Sequence, residues 1–138
     1  MCLYLKQKQS KPKVAEKAIE CYKILRPNKL AGTYFTPCRD VEVRLGHVYR
    51  GLGLRAVKNL DVRPDSYKYY VSIGFIHSFR TFKDAEKAIN KWKWDYGFNN
   101  CVIVRCSIPK GSTYYEGVFE DTMIPSYAST AIRYGTRV

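Results

Sequence analysis

Basic side chains dominate the residues of this sequence that could bind a ligand, and they favour the binding of anions. The chain has 24 Lys and Arg against 12 Asp and Glu, a formal net charge of +12 over 138 residues. A small domain with this imbalance carries a positive potential over much of its surface, so polyanions are its natural partners. We expect the excess cations to converge on a cradle for phosphate.

Lysines recur at every fourth position within one segment. Lys83, Lys87 and Lys91 would form a column along one side of a helix. Such a column can bind phosphate, although a solvated helix face is its more common role. A nucleic acid would be held through its backbone phosphates, whereas a small nucleotide needs only a few cations around one pocket. The predicted basic ligands are Arg39, Arg44, Arg80, Lys83, Lys87 and Lys110.

Aromatic residues are interleaved with these charges. Tyr34, Tyr114 and Tyr115 are predicted to offer faces on which a base could stack. We expect at least half of the tyrosines to have a structural role instead. His77 directly precedes a predicted helix, where a histidine could contact an anion at the free backbone N–H groups. A packed, hydrogen-bonded histidine is the more common alternative.

No pattern in the sequence specifies a catalytic site. The segment from Ile108 to Gly117 resembles a turn with a lysine and two hydroxyls, but it lacks the spacing of a P-loop. Glu116 could act as a catalytic carboxylate, yet spacing fixes no second acid or base. Neither a Ser-His-Asp nor a Cys-His arrangement is recognisable. We therefore favour a protein that is not an enzyme, with no catalytic residue and no cofactor.

The cysteines do not form a metal site or a disulfide framework. They include no C-x-x-C pair, and their number is odd, so at least one thiol is unpaired. Zinc would require a histidine to join scattered cysteines, which the spacing does not support. We expect buried, reduced thiols and no bound metal. The cysteines are Cys2, Cys21, Cys38, Cys101 and Cys106.

One helix and several strands are predicted to position these residues. The helix spans Thr81 to Tyr96, because Thr81 can cap it, Asp84 follows in its first turn, and apolar residues recur at spacings of three and four. Ala18 to Arg26 is read as a strand, with a short helix over Val14 to Tyr22 as the alternative. Further strands are predicted over Val41–Arg50 with a bulge at Gly46, Tyr67–Phe79 broken near Gly74, Cys101–Ile108, Thr113–Phe119 and Ala131–Val138.

These elements predict an α+β fold: one domain over residues 1–138, mainly antiparallel sheet, with one amphipathic helix at about 81–96. Residues 1–17 are read as a basic N-terminal arm or an edge segment. The connections over 30–39 and 120–125 are expected to be irregular. Apolar runs are too short for a transmembrane helix, and the N-terminus lacks the order of a signal peptide. The protein is therefore expected in the cytosol, away from membranes.

Several short segments also suggest a relationship to other proteins. In order, they are Cys21–Leu25, Val43–Tyr49, Gly74–Phe79, Ile108–Gly111, and Tyr127–Ser129 before Ile132. Over residues 18 to 134 this order resembles a family of small proteins encoded by tailed bacteriophages and prophages of Bacteroides-like hosts. Where members of that family join Gly-Phe directly to His, this chain inserts Ile76. The resemblance implies a viral origin and a compact, β-rich fold, and it implies no particular chemistry.

Charge and resemblance together favour a non-enzymatic phage protein of the host cytoplasm that binds an anion. Its target would be a nucleic acid or a nucleotide signal, and in the second case the protein could antagonise host defence. One alternative is a virion or assembly protein whose basic surface meets DNA or an acidic partner protein. The other is a small enzyme of the ADP-ribosyltransferase type, in which Glu116 would be the acid.

Overall fold

Alternation of apolar and polar residues along this chain produces strands that pair antiparallel. The computed structural model describes residues 3–5, 12–37, 40–51, 57–59, 69–71, 75–92, 98–119 and 122–138. Its strands and helix are β1 (Leu3–Leu5), β2 (Lys13–Val14), β3 (Ile19–Asn28), β4 (Thr33–Phe35), β5 (Glu42–Val43), β6 (Val48–Arg50), β7 (Val57–Asn59), β8 (Tyr69–Val71), β9 (Ile76–Phe79), α1 (Phe82–Trp92), β10 (Val102–Ile108), β11 (Thr113–Phe119), β12 (Pro125–Ser129) and β13 (Ala131–Arg137). The predicted α+β class, mainly antiparallel sheet with one helix, is confirmed.

The strands form one extended sheet, and five of its strands close into a ring. Its order is β6-β13-β10-β3-β9-β12-β11-β1-β8-β7, and β4 and β5 extend from the far end of β3. β2 pairs with β11, although β3, four residues further along the chain, pairs with β10 and β9. The path β3-β9-β12-β11-β2 therefore closes into a ring, because β2 and β3 belong to one continuous segment.

Closure of the ring divides the core between two faces of the sheet. On the inner face, Cys21 and Leu25 of β3 pack with Val104 of β10 and Tyr134 of β13. On the opposite face, Tyr22 and Ile24 pack with Ile103 and with residues of the helix. We call these the inner face and the helix-side face. Both faces of β3 are buried, because successive side chains of a strand point in opposite directions.

Helix α1 covers the helix-side face of the central strands. The Asp84 N–H donates to the Thr81 Oγ1 at 3.1 Å, and the Thr81 hydroxyl donates to the Asp84 carboxylate at 2.7 Å, which fixes the first turn. Ala85 and Ala88 are fully buried against the sheet. The helix is confirmed over Phe82–Trp92, and residues 93–97 of the predicted element lie outside the described residues.

Most strand predictions are confirmed, including those for β3, β10, β11 and β13. The single strand predicted over Val41–Arg50 is wrong: β5 and β6 are separated by a turn in which Gly46 has a φ of 85° rather than a bulge. The connection predicted over 30–39 contains β4. The loop predicted over 120–125 ends where β12 begins, at Pro125.

The N-terminal segment, predicted to be an arm or an edge, contributes the strands β1 and β2 to the sheet. β1 lies between β11 and β8, with Leu3 opposite both Phe119 and Val71. β2 pairs with the beginning of β11. The basic residues 6–11 between these strands lie outside the described residues.

Two buried polar groups occupy the place where β3 and β9 separate. These strands pair only at Tyr22 and Phe79. Beyond that point the Lys23 ammonium, 5% exposed, donates a hydrogen bond to the backbone carbonyl of His77. Lys23 therefore supplies a donor where the neighbouring strand has moved away, and a buried carbonyl is not left unpaired.

The described cysteines agree with the expectation of reduced thiols. Cys21 and Cys106 are buried free thiols, and Cys101 is half-buried. Burial raises the pKa of the Cys21 thiol to about 12 and that of Cys106 to about 11. Cys2 and Cys38 lie outside the described residues. Within the described part of the chain, α1 is too short and too polar to cross a lipid bilayer.

Candidate nucleic-acid interface

Three arginines on neighbouring strands lie on the same face of the sheet as α1, and their side chains are exposed to solvent. They are Arg50 of β6, Arg133 of β13 and Arg105 of β10, and all three are exposed. We call this set the arginine face. It exists because β13 lies between β6 and β10, so residues that are distant in the chain become neighbours.

Strand register determines how the three arginines are arranged. Arg133 lies directly opposite Val48 on one side and Ser107 on the other. Arg50 and Arg105 are each two residues away from those partners, in opposite directions along the strands. Both are therefore diagonal neighbours of Arg133, at about 7–8 Å between Cα atoms. The arginines form an oblique row across three strands.

A β-bulge stabilises this arrangement between β10 and β13. The register shifts between Arg105 and Cys106, so that Arg105 faces Thr136 whereas Cys106 faces Tyr134. Gly135 is the extra residue, and a Cβ built on it would lie 2.5 Å from the backbone oxygen of Arg105. Only glycine allows this close approach, so the position of Arg105 relative to Arg133 depends on Gly135.

Neighbouring groups orient two of the three guanidinium groups. Arg105 contacts the Tyr22 hydroxyl and pairs with the Glu20 carboxylate at 3.0 Å, and these two groups raise the pKa of Arg105. Arg133 donates from Nη1 to the carbonyl of Gly46 at 3.0 Å. An arginine has five N–H donors, so each of them retains donors for a phosphate oxygen.

The turn at residues 44–47 brings a further cation to the margin of this face. Tyr134 donates its backbone N–H to the carbonyl of His47 at 3.1 Å, which joins the turn to β13. Within the turn, the backbone N–H of Arg44 donates to the Tyr49 hydroxyl at 2.9 Å, and the Arg44 side chain is exposed. Arg44, one of the predicted ligands, therefore lies in a turn that is bonded to β13, the central strand of the arginine face.

The other predicted ligands are distributed over separate surfaces. Lys83 and Lys87 are exposed on α1, and Lys87 lines a groove of about 660 Å³ that the helix forms with residues 122–125. Lys110 and Tyr114 lie at the start of β11, whereas Arg80 lies near its other end, where its N–H donates to the carbonyl of Pro125 at 3.3 Å. Arg39 lies outside the described residues. The sequence predicted that these cations converge into one cradle. Among the described residues they do not.

Three of the predicted aromatic ligands pack against the protein core, and two of them are buried. Tyr34 is half-buried and packs against the inner core. Tyr115 is 5% exposed and meets Phe75 edge-on, with ring centroids 5.6 Å apart. His77 is also 5% exposed, and its ring lies 4.8 Å from that of Phe79 and 5.2 Å from that of Phe119. A ligand that approaches from solvent does not reach a ring in this position.

The environment of His77 also excludes a charged imidazole. Among the described residues, neither ring nitrogen has a hydrogen-bond partner. Burial, followed by the positive charge of Lys23, holds the pKa of His77 well below its usual range. The ring is therefore neutral at physiological pH and has no positive charge to offer an anion. His77 and Glu116 also lie on opposite faces of the sheet, so they do not form an acid–base pair.

The predicted ligands included none of the three arginines of the arginine face, although the sequence contained a signal for two of them. Arg105 and Arg133 are each a charged residue between apolar neighbours in a predicted strand, and this alternation places them outward. It does not show that the two strands are adjacent. Comparisons of the chain with protein families, with curated proteins and with solved structures found no match.

Proposed function

We propose that this protein is not an enzyme and that it binds nucleic acid through the arginine face. The observation that carries the proposal is the oblique row of Arg50, Arg133 and Arg105 on one exposed surface. A guanidinium fork matches the geometry of a phosphate, and several such groups on one surface can follow a phosphate backbone. The high net charge adds a long-range attraction.

The composition of the face favours phosphate contacts over the reading of bases. The residues between the arginines are Val48, Ser107 and Thr136, which are short and lie on a sheet rather than on a projecting helix or loop. Such a surface binds the backbone with little dependence on sequence. The affinity should therefore depend strongly on salt concentration. On the resemblance to phage proteins, the nucleic acid would be encountered in the host cytoplasm.

Fluorescence anisotropy with a labelled DNA duplex and a labelled single strand tests this proposal. The variant replaces all three arginines with glutamine, as Arg50→Gln, Arg105→Gln and Arg133→Gln. The slope of log affinity against log salt should become shallower by about 0.9 for each lost phosphate contact, about 2.7 in total for duplex DNA. Thermal unfolding should show that the variant remains folded.

A matched variant separates the arginine face from net charge. Lys83→Gln, Lys87→Gln and Lys110→Gln remove the same number of charges from exposed positions elsewhere. This lysine variant should keep most of the wild-type salt slope. If the salt slope becomes shallower by the same amount in both variants, diffuse charge, rather than the arginine face, binds the nucleic acid. Absence of salt-dependent binding by the wild type would reject the proposal altogether.

A further inference from the structure

We infer that a groove on the other side of the molecule is a second binding site, for a small ligand of the nucleotide class: a planar heterocycle that bears phosphate. The groove has a volume of about 860 Å³ and is lined by Lys13, Val14, Glu16, Lys17, Ile19 and Tyr114. Pockets for small ligands range over about 300–1,000 Å³, so one nucleotide fits. None of these residues belongs to the arginine face.

The groove lies where the ring of strands closes, and backbone hydrogen bonds fix its walls. The N–H of Ala15 donates to the carbonyl of Ser112 at 2.9 Å, and the N–H of Gly111 donates to the carbonyl of Ala15 at 2.8 Å. β2 and β11 pair next to these bonds. The segment 13–19 is therefore attached to the turn 109–112, and the groove is a fixed feature of the fold.

An aromatic ring on one wall is held in place from behind. Tyr114 contacts Tyr127 edge-to-face, with ring centroids 5.8 Å apart and planes at 86°. Tyr127 is buried, and its hydroxyl hydrogen-bonds the Arg80 side chain. A ring that is already immobilised loses little conformational entropy when a base stacks on it, so Tyr114 is suited to be a stacking platform.

The charges around the groove suit a small ligand better than a polyanion. Lys13 pairs with Glu116 at 2.9 Å, and both side chains are about half exposed. Lys17 and Lys110 are exposed cations nearby, while Glu16 contributes a second carboxylate. Lysines can bind phosphate, and carboxylates can accept hydrogen bonds from amino or ribose hydroxyl groups. The same carboxylates repel a continuous phosphate backbone, which separates this groove from the arginine face.

Isothermal titration calorimetry of the full chain with the four ribonucleoside triphosphates tests this site. Tripolyphosphate and adenosine serve as probes that carry only the phosphate or only the heterocycle. At least one nucleotide should bind more tightly than either of these probes. Tyr114→Ala should weaken that binding at least about fivefold, which corresponds to the low end of base–aromatic stacking. Tyr114→Phe keeps the ring and should restore the affinity.

The outcomes distinguish this inference from the proposed function. Lys17→Ala should weaken nucleotide binding, whereas Lys87→Ala, in the groove beside α1, should not. If no nucleotide binds at about 1 mM, or if tripolyphosphate binds equally well, the inference is overturned. It is also overturned if Tyr114→Ala remains folded and binds as the wild type does. If Tyr114→Ala still binds nucleic acid, the proposed function of the arginine face stands, whatever the result for nucleotides.

Discussion

The two faces of the central sheet present positive charge in different ways. On the helix-side face, Arg50, Arg105 and Arg133 are exposed beside one another, and Glu20 is the acid paired with this row. Around the groove, Lys13 is paired with Glu116 and Tyr114 is held by Tyr127. A net charge of +12 therefore does not define one site. Neighbouring acids and aromatic rings decide which ligand each group of cations suits.

The strongest changes should come from two variants that each lose a different ligand. The arginine-to-glutamine variant should lose duplex affinity by about 10²-fold or more at physiological salt, because three charge-assisted phosphate contacts disappear. Its nucleotide affinity should not change. Tyr114→Ala should show the opposite pattern. Measuring the affinity of both variants for both ligands checks this. If one variant loses both ligands, the two surfaces belong to one binding site.

Gly135→Ala should disturb the arginine face from within the fold. The added methyl group would lie 2.5 Å from the backbone oxygen of Arg105, so β10 and β13 must separate locally. Such overpacking costs about 1–3 kcal/mol in the free energy of unfolding, measurable by urea denaturation. Duplex affinity should fall with it, while nucleotide affinity is retained. Wild-type stability and wild-type duplex binding in this variant would show that the bulge does not position Arg105.

The buried imidazole of His77 should make folding sensitive to pH. Its pKa is lowered in the folded state, so below the unfolded pKa of about 6.5 only the unfolded chain takes up a proton. This contribution to stability is complete above that pH and is lost as the pH falls. The free energy of unfolding should drop between pH 7 and 5, by at most about 2 kcal/mol from this ring.

A pair of histidine variants isolates this effect. His77→Phe should abolish the pH-dependent loss, whatever its own stability at pH 7, because the titrating group is gone. His47→Gln changes an exposed histidine and should leave the loss as in the wild type. An unchanged pH dependence in His77→Phe would contradict the assignment of the effect to this ring.

The smallest expected effect on stability concerns the ion pair beside the groove. Glu116→Gln should change the free energy of unfolding by no more than the detection limit of urea denaturation, because both partners are exposed and screened. Its effect on binding should be larger, since Lys13 becomes free and phosphate is repelled less. We expect tripolyphosphate to gain affinity relative to nucleotides. A stability loss well above this limit would show that the pair holds β2 to β11.

Local sequence patterns predicted which residues form the helix and the strands better than they predicted which strands pair. Thr81 and Asp84 are close in the chain, so their capping contact could be predicted without the rest of the structure. The alternation in β3, β10 and β13 likewise follows from adjacent residues. β4, β7 and β12 were missed because these short strands, of five residues or fewer, depend on pairing with distant partners.

The sequence alone determined the charge, the α+β class, the helix start and the outward direction of Arg105 and Arg133, since each depends on composition or on near neighbours. Tertiary structure decided which charges meet. It placed β13 between β6 and β10, which assembled the arginine face, and it brought Lys13 to Glu116 across 103 residues. It also buried His77, because its ring packs against Phe79 and against Phe119, which is distant in the chain.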